Sequence, residues 1–160
     1  MGYIGNLTTN VSNSTVNIVN NGHIQNSNLT TTSGGTTNVV NNGSMANVTS
    51  SVDNYDYITG GDGSNYGQSN VNILNNGGIN NLNTNTYHGA HTNIVNNSYV
   101  NNANLQDSAD QTNVLNRGLF NNMNLSSTYG AGEFNINNLF GQINNLNANV
   151  GDNSTVNILS

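Results

Sequence analysis

Short bursts of alternating polar and apolar residues recur along this chain, each four to six residues long. In Ser14-Thr15-Val16-Asn17-Ile18-Val19-Asn20, the side chains of Val16, Ile18 and Asn20 share one parity and those of Asn17 and Val19 the other. A period of two, built from β-branched and small polar residues, predicts strands, and no segment carries the 3.6-residue spacing of a helix of ordinary length. The Val16–Ile18–Asn20 face is expected inward, although Val19, Val40, Leu74, Val95 and Leu115 make the opposite face partly apolar too.

The bursts repeat. An anchor Asn followed by Ile or Val occurs at Asn17, Asn38, Asn72, Asn93, Asn113, Asn135 and Asn157, at spacings of 21, 34, 21, 20, 22 and 22 residues. Three residues after each anchor stands Asn20, Asn41, Asn75, Asn96, Asn116 or Asn138, with Ser160 in the seventh copy. A turn follows, most often Asn-Gly as in Asn21-Gly22, Asn42-Gly43 and Asn76-Gly77, residues expected to supply positive φ in a tight turn. A second apolar position comes next (Ile4, Ile24, Met45, Ile79, Val100, Phe120, Ile143), and two residues beyond it Asn is invariant: Asn6, Asn26, Asn47, Asn81, Asn102, Asn122 and Asn145. Self-similarity at 20–22 residues with two strands and two turns per unit is the signature of a β-solenoid. The expected fold is therefore all-β: seven strand–turn–strand coils in a single domain over residues 1–160, stacked head to tail. The second strand leaves two-sided and three-sided coils open, because Ile24 and Leu29 have opposite parity.

Stacked coils bring equivalent residues about 4.8 Å apart. At that distance an Asn amide can donate to the copy on one side and accept from the copy on the other. The anchor column (Asn17 to Asn157) and the second-strand column (Asn6 to Asn145) are thus expected to form ladders. A buried amide without a partner costs roughly 1–3 kcal/mol, so a ladder fixes register and leaves only its ends wanting partners.

The two ends of the chain complete each other. Ser154-Thr155-Val156-Asn157-Ile158-Leu159-Ser160 joined to Met1-Gly2-Tyr3-Ile4-Gly5-Asn6-Leu7 matches Ser14–Ser27 without a gap, and Asn157 to the next Asn17 would again span 20 residues. Residues 1–13 and 153–160 are read as half-repeats that join between subunits. The expected assembly interface comprises Met1, Gly2, Tyr3, Ile4, Asn6, Leu7, Val156, Asn157, Ile158, Leu159 and Ser160, and the expected partner is the chain itself, as a homopolymer.

Composition narrows the function classes. Asn supplies 42 of the 160 residues, about a quarter; there is no Cys, Pro, Trp or Lys, and Arg117 is the only Arg. A net charge of −6 with one basic side chain leaves nothing to neutralise phosphates, so no nucleic-acid partner is expected. No apolar run approaches the length of a membrane span, and no membrane insertion is expected. The acidic residues Asp53, Asp56, Asp62, Asp107, Asp110, Glu133 and Asp152 are read as lying between strand pairs, where they avoid like-charge stacking and limit sideways sticking. Met1 leads directly into repeat sequence, with no visible signal peptide.

Ser14-Thr15-Val16-Asn17-Ile18-Val19-Asn20-Asn21-Gly22 resembles a curlin repeat, the unit of bacterial curli fibres. Ser14 and Ser154 match that pattern's Ser, Asn20 and its equivalents stand where it has Gln, and Gly22 matches its turn; Gly35, Ala90, Asp110 and Gly132 replace the Ser elsewhere. The resemblance implies a secreted β-solenoid that assembles as a functional amyloid in biofilm matrix, hence an extracellular or cell-surface location. The rival readings are a monomeric β-helix binding module of adhesin or ice-binding type, and a phage or spore surface fibre. For ice binding the Thr30–Thr32 and Thr84–Thr86 pairs do not recur in register.

Other candidate chemistry is sparse. The 34-residue spacing implies an inserted loop near residues 52–67 holding Tyr55, Tyr57 and Tyr66, read as a possible lateral contact between filaments. Gly60-Gly61-Asp62-Gly63-Ser64-Asn65 is similar to a calcium turn but occurs once. His88 and His91 lack a third ligand, and His23 is alone. Asp107 and Asp110 are read as a flexible loop with nothing to tune their pKa, and Glu133 lies beside glycine. No catalysis, metal or cofactor is expected.

Overall fold

The computed structural model describes residues 2–55, 68–108, 110–128 and 132–160. Fourteen strands follow one another: β1 (Tyr3–Ser12), β2 (Thr15–Asn20), β3 (His23–Thr32), β4 (Thr36–Asn41), β5 (Ser44–Asp53), β6 (Asn70–Asn75), β7 (Gly78–Tyr87), β8 (His91–Asn96), β9 (Tyr99–Ser108), β10 (Gln111–Asn116), β11 (Leu119–Ser127), β12 (Glu133–Asn138), β13 (Gln142–Val150) and β14 (Thr155–Leu159). Odd strands are long and even strands short. They form two parallel seven-stranded sheets, ordered β1-β3-β5-β7-β9-β11-β13 and β14-β12-β10-β8-β6-β4-β2. Each long strand with the short strand after it is one coil of a β-solenoid, and the described residues make seven.

Pairing is in register throughout: Asn17 lies over Asn38, Asn38 over Asn72, and Asn6 over Asn26. Strict register follows from the chemistry of the columns, since a slip of one residue would turn Ile and Val outward and break the amide ladders. Between the sheets the core holds Val39, Ile73, Ile94, Val114 and Ile136 from the short strands, which is the face expected to point inward. The long strands add Ile24, Ile79, Leu82, Leu105, Phe120 and Met123.

The opposite parity of Ile24 and Leu29 has a local cause. In β3 the residues Ile24, Ser27, Leu29 and Thr31 are buried, so the two successive residues Gln25 and Asn26 both lie off the core. The ladder skips this place: Ile4 pairs with Ile24 and Asn6 with Asn26, with no pair recorded between Gly5 and Gln25. The long strand bends there and changes the face it buries, so two sheets suffice. Long strands of nine or ten residues also exceed the four to six read from the alternation, because the bend conceals their continuity.

The two kinds of turn use glycine differently. Positive φ occurs between long and short strands, at Asn13, Ser33, Gly34, His88, Gly89 and Asn153, and in one turn of the other kind, at Phe140. At the Asn-Gly turns glycine serves another purpose, which corrects the sequence expectation. A Cβ on Gly22, Gly43 or Gly77 would run into the carbonyl oxygen of Gly2, Gly22 or Gly43 in the coil before it. These glycines allow backbone to stack on backbone. In the fourth of these turns, between β8 and β9, Ser98 holds the position, and nothing in the structure explains why it is tolerated.

Candidate functional site

The features with functional content are the amide ladders, the two open ends of the solenoid and a buried carboxyl group. The anchor ladder lies on the outside of the short-strand sheet. Asn38 Nδ2 donates to Asn17 Oδ1 at 2.8 Å, and the pattern repeats through Asn72, Asn93, Asn113 and Asn135 to Asn157, which donates to Asn135 at 2.9 Å. The second-strand ladder does the same from Asn26, donating to Asn6 at 2.9 Å, through Asn47, Asn81, Asn102 and Asn122 to Asn145.

A third ladder is buried, and the sequence reading noted its residues without assigning them this role. Asn20 Nδ2 donates to Asn41 Oδ1 at 2.8 Å, followed by Asn41 to Asn75, Asn75 to Asn96, Asn96 to Asn116 and Asn116 to Asn138 at 2.7–2.9 Å. Asn41, Asn75, Asn96 and Asn116 are fully buried. The second amide hydrogen of Asn20 goes to the Ser44 carbonyl at 3.0 Å, and that of Asn75 to the Tyr99 carbonyl at 3.1 Å. The Asn20 oxygen also accepts the Gly22 N–H at 3.1 Å. Asn20, Asn96 and Asn116 thereby close the turns of their own coils, and every amide from Asn20 to Asn116 ties its coil to the next with both hydrogens matched.

The ladders have direction. The outer ones donate toward the N-terminal end and the buried one toward the C-terminal end. In the anchor column the orientation is fixed by Glu133, whose carboxylate can only accept and does so from Asn135 Nδ2 at 3.0 Å. Asn17 Nδ2 therefore points out of one end of the solenoid and Asn157 Oδ1 out of the other. Ser160 follows Leu159 at the buried-ladder position held by Asn138 one coil earlier.

Core columns run uncovered onto both ends. Ile4 is 45% exposed and Ile158 51%, whereas Ile24 and Ile136 in the same columns are 1% and 3% exposed. β1, β2, β13 and β14 each have one hydrogen-bonded neighbour. Gly2, Tyr3, Ile4, Asn6 and Leu7 lie on one end coil, and Val156, Asn157, Ile158, Leu159 and Ser160 on the other; Tyr3 stacks on His23 with ring centroids 5.4 Å apart. Met1 lies outside the described residues.

Asp53, Asp107 and Glu133 depart from the sequence reading by lying in strands, whereas Asp110 and Asp152 lie between strands. Asp107 is not in a loop: it is the ninth residue of β9, points into the core and is fully buried. Among the described residues neither of its carboxyl oxygens has a hydrogen-bond partner. Burial pushes its pKa up to about 7. Asp110, also buried, is pushed up to about 6 by the same cause, although the Gly89 N–H donates to it. Asp53 ends β5 and holds His88 Nδ1 at 2.7 Å, while His91 Nε2 meets Gln68 Nε2 at 2.8 Å, so the two imidazoles turn to different partners. Among the described residues no three His, Asp or Glu side chains gather as a metal site. Glu133 opens β12 on the outer face, and hydrogen bonds from Asn135 and Gln111 hold its pKa below the usual carboxylate value.

Val52 and Asp53 belong to β5, and the excursion that follows is closed at its base by Ser69, whose N–H donates to Asn54 Oδ1 at 3.1 Å and whose hydroxyl donates to the Asp53 carbonyl at 3.0 Å. Tyr55 packs its ring 5.3 Å from that of His88. Tyr57, Tyr66, Asp56, Asp62 and the Gly60–Asn65 turn lie outside the described residues. Phe140 was not singled out from sequence. It is an additional residue in the last Asn–Gly-type turn, at φ 62° and 99% exposed. Comparison of the chain with protein-family models, curated proteins and solved structures found no match.

Proposed function

We propose that this β-solenoid is a non-catalytic structural protein that stacks end on end with copies of itself into an extracellular amyloid-like filament, of the kind that serves a biofilm matrix or a cell surface. The observation that carries this reading is the pair of uncovered core columns, Ile4 at one end and Ile158 at the other. Each end coil offers apolar side chains, a parallel strand edge and unfilled ladder positions.

The two ends are complementary. In a head-to-tail stack, Asn17 Nδ2 of the added copy meets Asn157 Oδ1, its Asn6 Nδ2 meets Asn145 Oδ1, and the Ser160 hydroxyl can donate to its Asn20 Oδ1. Head-to-head stacking would set donor against donor. The ladder direction therefore supports a polar filament with one orientation of subunits. The extracellular setting rests on the likeness to curlin repeats, and the tyrosines of the inserted loop (Tyr55, Tyr57, Tyr66) are proposed as a lateral contact.

Replacing Ile158 with Asp places a carboxylate where the next coil must pack. The expected outcome is soluble, β-rich protein that does not elongate, with Ile4→Asp giving the same result from the other end. Filaments of unchanged abundance by negative-stain microscopy would contradict end-on stacking.

A further inference from the structure

The outer face of the short-strand sheet carries an aliphatic column: Val19, Val40, Leu74, Val95, Leu115 and Leu159, with Val19 63% and Leu159 62% exposed. Asn137 takes the sixth place, and a hollow of about 650 Å³ opens there, lined in part by Val95, Leu115, Asn137 and Leu159. Beside the column runs the anchor ladder, whose amides already bond one another, so covering them with protein costs little desolvation. Two rims bound the face. One is the turn column that contains exposed Arg117, and the other is the first position of each short strand, which includes His91 and Glu133.

We propose that this face pairs with the same face of a second copy, the two solenoids running in the same direction about a two-fold parallel to their axes. Axial spacing selects the occupant: columns repeating every ~4.8 Å mesh over their whole length only with a surface of the same repeat. Area agrees. Six strands of six residues and one of five present a face of roughly 34 by 20 Å, about 670 Å² per copy, close to the ~800 Å² per partner of a standard stable interface.

Charge sets the direction. Arg117 is the only Lys or Arg of the chain and, among the described residues, makes no ion pair. Rotation about an axial two-fold brings its rim against the partner's Glu133, one coil and therefore ~4.8 Å away along the axis, within reach of a guanidinium. The contact forms twice per pair. Antiparallel pairing would set Arg117 against the Asn21–Asn97 rim and leave both charges unmatched. Phe140, wholly exposed beside the Arg117 rim, adds an aromatic at the edge of the face, a residue type enriched at interfaces.

The pairing is separate from end-on growth, and filament growth would multiply it. The test uses protein carrying Ile158→Asp, examined by sedimentation. The expected species is a dimer that Leu74→Lys with Val95→Lys converts to monomer. Circular dichroism checks that these outward substitutions leave the fold intact. Arg117→Glu should weaken the dimer about tenfold, and adding Glu133→Arg should restore it, a rescue that a folding defect would not give. If Ile158→Asp protein still forms fibres, end-on stacking at that surface fails, and mass per length then decides the pairing: two chains per axial rise supports it and one overturns it. Monomer at every soluble concentration, or a dimer indifferent to both the lysines and the charge exchange, overturns the proposal.

Discussion

Asp107→Thr is expected to raise the unfolding midpoint strongly at pH 8 and hardly at all at pH 4. The reason lies in the column Asp107 occupies. Thr31 and Thr86 hold the same inward position in other coils, and their hydroxyls meet those of Thr37 and Thr92 across the core at 2.7 and 2.8 Å. Asp107 faces the equivalent Thr112 with a carboxyl group instead. In the unfolded chain that carboxyl ionises near its ordinary value of 3.8, but in the fold only at about 7. The folded state thus favours the protonated form. Its stability is greatest below about pH 4, falls as pH rises through the interval between the two values, and is lowest above about 7. The gap corresponds to on the order of 4 kcal/mol. Asp110, pushed up to about 6, adds a smaller trend of the same sign. Thr at position 107 removes the titration and restores the hydroxyl pair. Equal thermal midpoints for the two proteins at pH 8 would show that Asp107 ionises without penalty. The contributions of Asp107 and Asp110 accordingly favour the folded solenoid in acid.

Asn75→Leu should destabilise the solenoid by roughly 3–5 kcal/mol, while Asn76→Ala should cost about 0.5 kcal/mol or less. Both substitutions interrupt an Asn ladder. Asn76 donates to Asn42 at 3.0 Å on the exposed turn, where water replaces a lost partner. Asn75 is fully buried, and its loss removes the acceptor that Asn41 reaches at 2.9 Å and the amide that donates to Asn96 and to the Tyr99 carbonyl. Leu keeps the branching at Cγ and leaves no cavity, so the loss is of hydrogen bonding with some overpacking added. Denaturant titration of the two variants would separate the cases, and equal losses would mean that burial is not what gives the inner ladder its weight.

These two positions show what the sequence could and could not reveal. A parallel in-register stack places each residue over the one 20–22 positions on, so the recurrence of Asn17, Asn38 and Asn72 carries the fold directly. The same recurrence exposes the columns that become ladders. Depth within the coil is harder to read, because it depends on where the chain turns. The bend at Gln25–Asn26 reverses the parity of the long strand, and without it Leu29 and Thr31 cannot be assigned to the same side as Ile24. Asp107 is hidden for that reason: strands of four to six residues end before it, which puts it in a loop. The direction of the ladders also depends on local partners, such as the Gly22 N–H at Asn20 and the Glu133 carboxylate at Asn135, whose effect on amide orientation emerges only when the coils are assembled. The aliphatic column at Val40, Leu74 and Val95 was visible from the start, but its meaning depended on Arg117 and Glu133 standing on opposite rims.

The central claim is that coils continue from one molecule into the next. It is tested most directly by electron microscopy of the purified 160-residue chain, with the axial repeat read from the power spectrum of the filaments. Seven coils at about 4.8 Å each predict a layer line at that spacing and a subunit rise of roughly 34 Å. Dispersed particles at every concentration, or filaments whose rise departs clearly from seven layers, would contradict it.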